Sequence, residues 1–224
     1  MKKTVVDMGV APDKVEVISM GVDLQGLFIP DTSVQRKNDE LIFVGRLVEK
    51  KGVHFLLGAM PIVLKKHPNV RLTIAGSGPT EQELRQQTQI LGLSDRVTFL
   101  GSVSQTKLPG LYQMATLAVF PFVVAKSGDQ EGFGLVQVEA MGCECPVIAG
   151  DLPAIHDIIV HEKTGLIVES GNAQALADAI IRMLDDPDLR FRLARNGCER
   201  VVERFDWEII AKKYAGIYEN LINK

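Results

Sequence analysis

"ELIFVGRLVEKKGVHFLLGAMPIVLKKHPNVRLTIAG", residues 40–76, changes its period twice. It opens on a short apolar run, ELIFVG at 40–45, and closes on another, VRLTIAG at 70–76. Between them, Val53 to Lys66 reads as one helix-length stretch. Both runs are apolar almost throughout, with little polar alternation. Strands buried on both faces look like this, as they are when helices cover the two sides of a parallel sheet.

The same alternation continues down the chain. PTEQELRQQTQILG (79–92) follows with Pro79 expected in a first helical turn. RVTFLG (96–101) precedes SQTKLPGLYQMA, with Ser104 expected as an N-cap. TLAVFPF (116–122), PVIAG (146–150) and TGLIVE (164–169) complete the strands. The pattern predicts an α/β domain: a Rossmann-like, doubly wound parallel sheet with helices on both faces. The C-terminal third is helical throughout, broken at Pro187 and near Asp206. In its last helix Trp207, Ile210, Tyr214, Ile217 and Leu221 form one apolar stripe that requires a partner surface. Either the same domain or a surface outside this chain can supply it.

Composition excludes several classes. The chain has 224 residues, 46% apolar and 24% charged, ordinary for a soluble globular protein with its own core. A net charge of −3 gives no global field for nucleic acid. No apolar stretch approaches the ~18 residues of a membrane span. MKKTVVDMGV (1–10) lacks the apolar block of a signal peptide. Cys143, Cys145 and Cys198 are odd in number, make no CxxC and have no His cluster beside them. Free buried thiols in a reducing cytoplasm are therefore expected. His54, His67, His156 and His161 show no metal-ligand spacing. No GxxxxGK[ST] is present, which argues against a P-loop nucleotidase. No metal or cofactor is expected.

Open doubly wound sheets bind ligands beyond the carboxyl ends of their strands. Four loops fall there. In VGRLVEKKG (44–52), Arg46 follows a strand and Lys51 stands before Gly52, a plausible anion clamp or else a solvated basic turn. AGSGPTE (75–81) offers Gly76 and Gly78, but Glu81 replaces the third glycine of a dinucleotide fingerprint, so a tight turn is the simpler role. LGSVSQTKL (100–108) is unremarkable alone. DQEGFGLVQVEAMG (129–142) holds Glu131 at a helix mouth and Glu139 inside the helix. Gly132 and Gly134 let backbone approach a ligand closely. If the helix starts near Phe133 or Gly134, its free N–H groups make an anion site, with Glu139 roughly 7.5 Å further along the axis. A nucleoside diphosphate sugar fits that layout, with charge in the middle and hydroxyls at both ends. Two glutamates favoured near a helix start fit it as well.

These residues together resemble the C-terminal, donor-binding half of family 4 (group 1) retaining glycosyltransferases of GT-B architecture. The carrying stretches are ISMGVDLQGLF (18–28), VGRLVEKKG (44–52), IAGSGP (74–79), VTFLGSVS (97–104), EGFGLVQVEAM (131–141), PVIA (146–149) and HEKTGLIV (161–168). The resemblance implies catalytic roles for Arg46, Lys51 and Glu131. Arg46 and Lys51 would neutralise the donor diphosphate. Glu139 would bind ribose hydroxyls, and Glu131 the donor sugar beside the backbone of Gly132, Phe133, Gly134 and Leu135. Gly76 would line the donor site and Val103 meet the base. On this division, losing Glu131 leaves bare nucleotide affinity nearly intact.

The resemblance further implies a metal-independent donor-binding domain over residues 1–205. Residues 206–224 would form a helix crossing to a missing N-terminal acceptor domain. Peripheral membrane association of the whole enzyme stays open. Against the family pattern, Met20 replaces a common asparagine, Glu144 a glycine, Pro153 and Ala154 a glycine pair, and Asp157 a glutamate. If residue 144 requires positive φ, its side chain costs about 1 kcal/mol. An epimerase-type domain of the same architecture and a non-catalytic nucleotide-sugar-binding module are the other readings.

Overall fold

The computed structural model describes residues 2–222. After α1 (Lys2–Asp7) the chain enters the sheet at its centre with β1 (Glu40–Val44) and crosses through α2 (Val53–Lys66) to β2 (Arg71–Ala75). It continues through α3 (Glu81–Ile90) to β3 (Val97–Gly101). Helix α4 (Leu108–Met114) then carries it back past β1 to β4 (Leu117–Phe120). Helix α5 (Leu135–Gly142), β5 (Val147–Gly150), α6 (Ile155–Ile158) and β6 (Leu166–Val168) build the other wing. The six strands are ordered β3-β2-β1-β4-β5-β6, and every pairing is parallel. The winding direction therefore reverses between β1 and β4, which opens a crevice at their carboxyl ends.

Each strand is short and nearly all apolar because both its faces are covered. Leu41, Phe43, Leu72, Ile74, Val119, Phe120 and Ile148 are fully buried. Each side chain of this kind contributes roughly 1.5–3 kcal/mol of transfer free energy.

Two local expectations differ in detail. Pro79 lies in a turn, and α3 starts at Glu81, because the Thr80 N–H donates to Leu47 O (3.2 Å) and the Glu81 N–H to Gly78 O (3.1 Å). Ser104 makes no side-chain cap; it opens a single 3-10 turn, Gln105–Lys107, ahead of α4. Glu144 does adopt φ +51. It ends α5 in a Schellman arrangement: Cys145 N donates to Ala140 O (2.9 Å) and Glu144 N to Met141 O (3.0 Å). Cys143, Cys145 and Cys198 are free and buried.

The C-terminal third is α7 (Ala173–Asp185), α8 (Pro187–Phe205) and α9 (Trp207–Ile222). Pro187 begins α8, and the Asp186 carboxylate caps it by accepting from Leu189 N (2.9 Å). Buried Asp206 pins the α8–α9 corner to the segment after Val22, accepting from Leu24 N, Gln25 Nε2 and Glu208 N. Along the α9 stripe Ile210 is buried, but Trp207 is 58% exposed, Tyr214 47% and Leu221 64%. No helix among the described residues is long and apolar enough to cross a membrane.

Candidate functional site

The loops leaving β1, β2 and β3 are bound edge to edge by their backbones. Gly45 N donates to Ala75 O (3.0 Å), Leu47 N to Ser77 O (2.9 Å) and Gly76 N to Gly101 O (2.8 Å). Gly76 has φ +145, and a Cβ there would collide with the Gly45 carbonyl. Only glycine allows the two loops to approach this closely. The result is an open hollow of about 450 Å³ at the strand ends, lined by Arg46, Gly76, Ser77, Gly78, Ser102 and Val103. Arg46 is exposed there, and its guanidinium has no hydrogen-bond partner among the described residues.

On the other side of the switch point a second hollow, of about 810 Å³, is lined by Glu131, Gly132 and Phe133 together with Pro153, Ala154 and Asp157. Lys2 and Lys3 of α1 and the segment Val17–Met20 close its far wall.

Lys51 joins the β1 loop to the β4 loop. Its ammonium donates to Glu131 Oε2 at 2.5 Å, and the two side chains are only 12% and 13% exposed. The same ammonium lies 4.8 Å from the centre of the Phe122 ring, a cation–π contact at the end of β4. Burial pushes the Glu131 carboxyl upward, but the Lys51 hydrogen bond and charge outweigh it, so its pKa falls below the usual carboxylate value. Glu131 Oε1 accepts from Gly132 N at 3.2 Å. Next to this pair, Lys50 binds Asp129 at 3.1 Å. Successive lysines thus neutralise both carboxylates of DQE.

Helix α5 starts at Leu135, one residue beyond the expected mouth, with Gly134 as N-cap at φ +85. Phe133 packs edge-on against Phe205 of α8, with ring centres 5.4 Å apart, which anchors the turn. The first N–H groups of α5 have no partner inside the helix and give this mouth partial positive charge. Glu139 lines neither hollow. It is buried, and its Oε2 accepts from the Tyr112 hydroxyl of α4 at 3.3 Å. Burial raises its pKa, and the Tyr112 hydrogen bond offsets only part of that.

Arg46, Gly76 and Val103 therefore share one hollow, and Glu131, Gly132 and Phe133 the other, with Lys51 and Gly134 between. Leu135 is half-buried against the core. Sequence reasoning did not find Tyr112, Phe122 or Gln137. Tyr112, Phe122 and Gln137 stand inside the stretches SQTKLPGLYQMA, TLAVFPF and DQEGFGLVQVEAMG, where no local signal points to them.

The family profile "Glycosyl transferases group 1" matches residues 27–200. A GDP-mannose-dependent alpha-(1-6)-phosphatidylinositol monomannoside mannosyltransferase of Mycobacterium tuberculosis is 32% identical over 210 residues, 89% of this chain and 54% of that protein. Sucrose-phosphate synthase from Thermosynechococcus elongatus superposes with a TM-score of 0.82 at 32% identity, over 99% of this chain and 56% of that one. Anabaena HepE, solved in complex with UDP and glucose, gives 0.85 at 26% identity, over 98% and 60%. The chain spans about half the length of the curated relatives it matches. It belongs to the group 1 glycosyltransferases.

Proposed function

We propose that this chain binds a nucleoside diphosphate sugar across its two hollows and supplies the donor half of a retaining glycosyl transfer. The observation that carries this reading is the convergence of Arg46, the Lys51–Glu131 pair and the mouth of α5 on the switch point. Fixed cations and a helix mouth suit a diphosphate, whose negative charge grows as it leaves the sugar. The nucleoside would lie toward Gly76 and Val103, and the sugar toward Glu131 and Gly132. Glu139 would act on the ribose from beneath, and it must turn from Tyr112 or accept the ribose on its other oxygen.

The acceptor would be held by groups outside this chain. Positioning of the nucleophile can supply roughly 7–11 kcal/mol of barrier reduction, so this chain alone would bind donor and transfer little. A calorimetric panel of UDP, GDP and ADP, each with and without its sugar, tests the binding. Failure of all six ligands to bind refutes the proposal. Multiple-turnover transfer to a mixed acceptor pool, read by mass spectrometry, refutes the division of labour.

A further inference from the structure

Gln137 is fully buried in the first turn of α5, and neither its Nε2 nor its Oε1 has a hydrogen-bond partner among the described residues. It is the one carboxamide so placed among the described residues. Orphaned polar groups cost the folded state, and native proteins keep few of them.

The place is specific. The amide nitrogen fills the space where a Cβ on Gly134 would stand, and that Cβ would also lie 3.4 Å from Phe122 Cε2. The Phe122 ring is the same one that lies under the Lys51 ammonium. The amide therefore sits directly behind the Gly132–Gly134 turn, between that turn and the floor of the ion pair. Open space surrounds the Cβ direction of Gly132, while Phe133 holds the turn to α8.

We propose that Gln137 is a positioning residue whose amide is satisfied only when a sugar-bearing donor is bound. A sugar drawn to Glu131 and the backbone of Gly132 pulls the turn toward the ligand. A peptide group of the shifted turn then meets the amide, which can both donate and accept. The amide locks the turn in its donor-bound form and costs the empty protein stability. Such a residue breaks a local rule in one state because another state compensates it. The inference rests on the function proposed above.

The test replaces Gln137 by methionine, which keeps the volume and removes both orphans. Melting temperature is measured on the free protein, and calorimetry uses UDP, UDP-glucose, GDP and GDP-mannose. Gln137→Met is expected to melt a few degrees higher than wild type. It should bind bare UDP or GDP within about twofold of wild type but the matching sugar donor roughly five- to tenfold more weakly, the scale of one hydrogen bond. A lower melting temperature, or failure to fold, overturns the proposal, because the amide then has a partner in the empty protein, such as a buried water. A stabilised variant with unchanged sugar-donor affinity overturns it as well, since Gln137 then only packs. Wild-type protein that binds none of the four ligands refutes the proposed function itself, a result distinct from both.

Discussion

Replacing Glu131 by glutamine should tighten, not weaken, the binding of a bare nucleoside diphosphate. In this structure Lys51 is engaged by Glu131, with both side chains nearly 90% buried. A diphosphate that needs Lys51 must compete with this carboxylate, so binding is an exchange of anions on one cation. Glutamine keeps the shape and removes the competitor. A charged hydrogen bond is worth about 1.5–3 kcal/mol, and part of that is recovered through the neutral amide. The net gain should be about 1–2 kcal/mol, or roughly five- to thirtyfold in Kd.

The free variant should also be less stable, because it leaves a buried ammonium without its counter-ion. Its melting temperature should therefore rise more on adding diphosphate than that of wild type. The sugar-bearing donor behaves differently, since it loses a carboxylate acceptor while gaining the free lysine. The affinity ratio of sugar donor to bare diphosphate should fall. Titration calorimetry at two salt concentrations reads both numbers, and a Lys51→Met, Glu131→Gln double-mutant cycle isolates the coupling. Unchanged or weaker diphosphate affinity in Glu131→Gln would refute the exchange argument. The family resemblance implies that Glu131 is indifferent to the bare nucleotide; the ion pair argues instead for competition, and this experiment decides between them. The same pair would aid turnover, because Glu131 reclaiming Lys51 displaces the diphosphate after transfer.

Other expectations follow from single contacts. Arg46→Ala should weaken UDP or GDP by about 1–2 kcal/mol and leave the free nucleoside unaffected; equal losses by calorimetry sink the clamp assignment. Glu139 has a folded-state pKa above its ordinary 4.5, so the stability it lends is full below the unfolded value and is lost as pH rises through the folded one. The melting-temperature difference, Glu139→Gln minus wild type, should thus grow from acid toward neutral pH, and a flat profile contradicts it. Glu144→Gly should relieve the left-handed strain at φ +51 and stabilise by about 0.5–1 kcal/mol, a melting shift of roughly 1–4 °C; a destabilised variant would show that the side chain makes up for its backbone.

The fold was legible because periodicity is local. ELIFVG and VRLTIAG each report their own burial, and the strand ends then place Arg46, Gly76 and Val103 in one hollow. Element starts were less legible. The α3 boundary is set in part by the hydrogen bond from Thr80 N to Leu47 O, a residue from another loop, which no window around Pro79 contains. The site was half legible for the same reason. EGFG announces a glycine turn at a helix mouth by itself. The pairing of Lys51 with Glu131 spans 80 positions and exists only because β1 and β4 are neighbours across the switch point. Glu139 carries no sign in sequence that Tyr112 will meet it.

Helix α5 shows why these nonlocal features matter. Its two ends both break local rules, and the compensation differs. At the carboxyl end Glu144 is strained, but Schellman bonds satisfy the last carbonyls, and the Arg36 guanidinium takes Glu144 O at 3.1 Å. That end is complete within the chain. At the amino end a lysine and a carboxylate are both withdrawn from water, and a glutamine amide is unpaired. The first N–H groups of the helix also lack partners within it. Gln137 N donates to Gly134 O (3.0 Å), but among the described residues nothing partners the Gln137 amide. The missing partner must be anionic, to release Lys51 from Glu131, and must carry hydroxyl groups, to employ the freed carboxylate. A nucleoside diphosphate alone meets the first requirement, but on the proposed pose its ribose hydroxyls lie toward Gly76, Val103 and Glu139, and none reaches Glu131. On the function proposed above, the sugar-bearing donor would supply both, its diphosphate the charge and its sugar the hydroxyls, so that donor, and not its nucleotide, is the ligand expected to settle this end of α5.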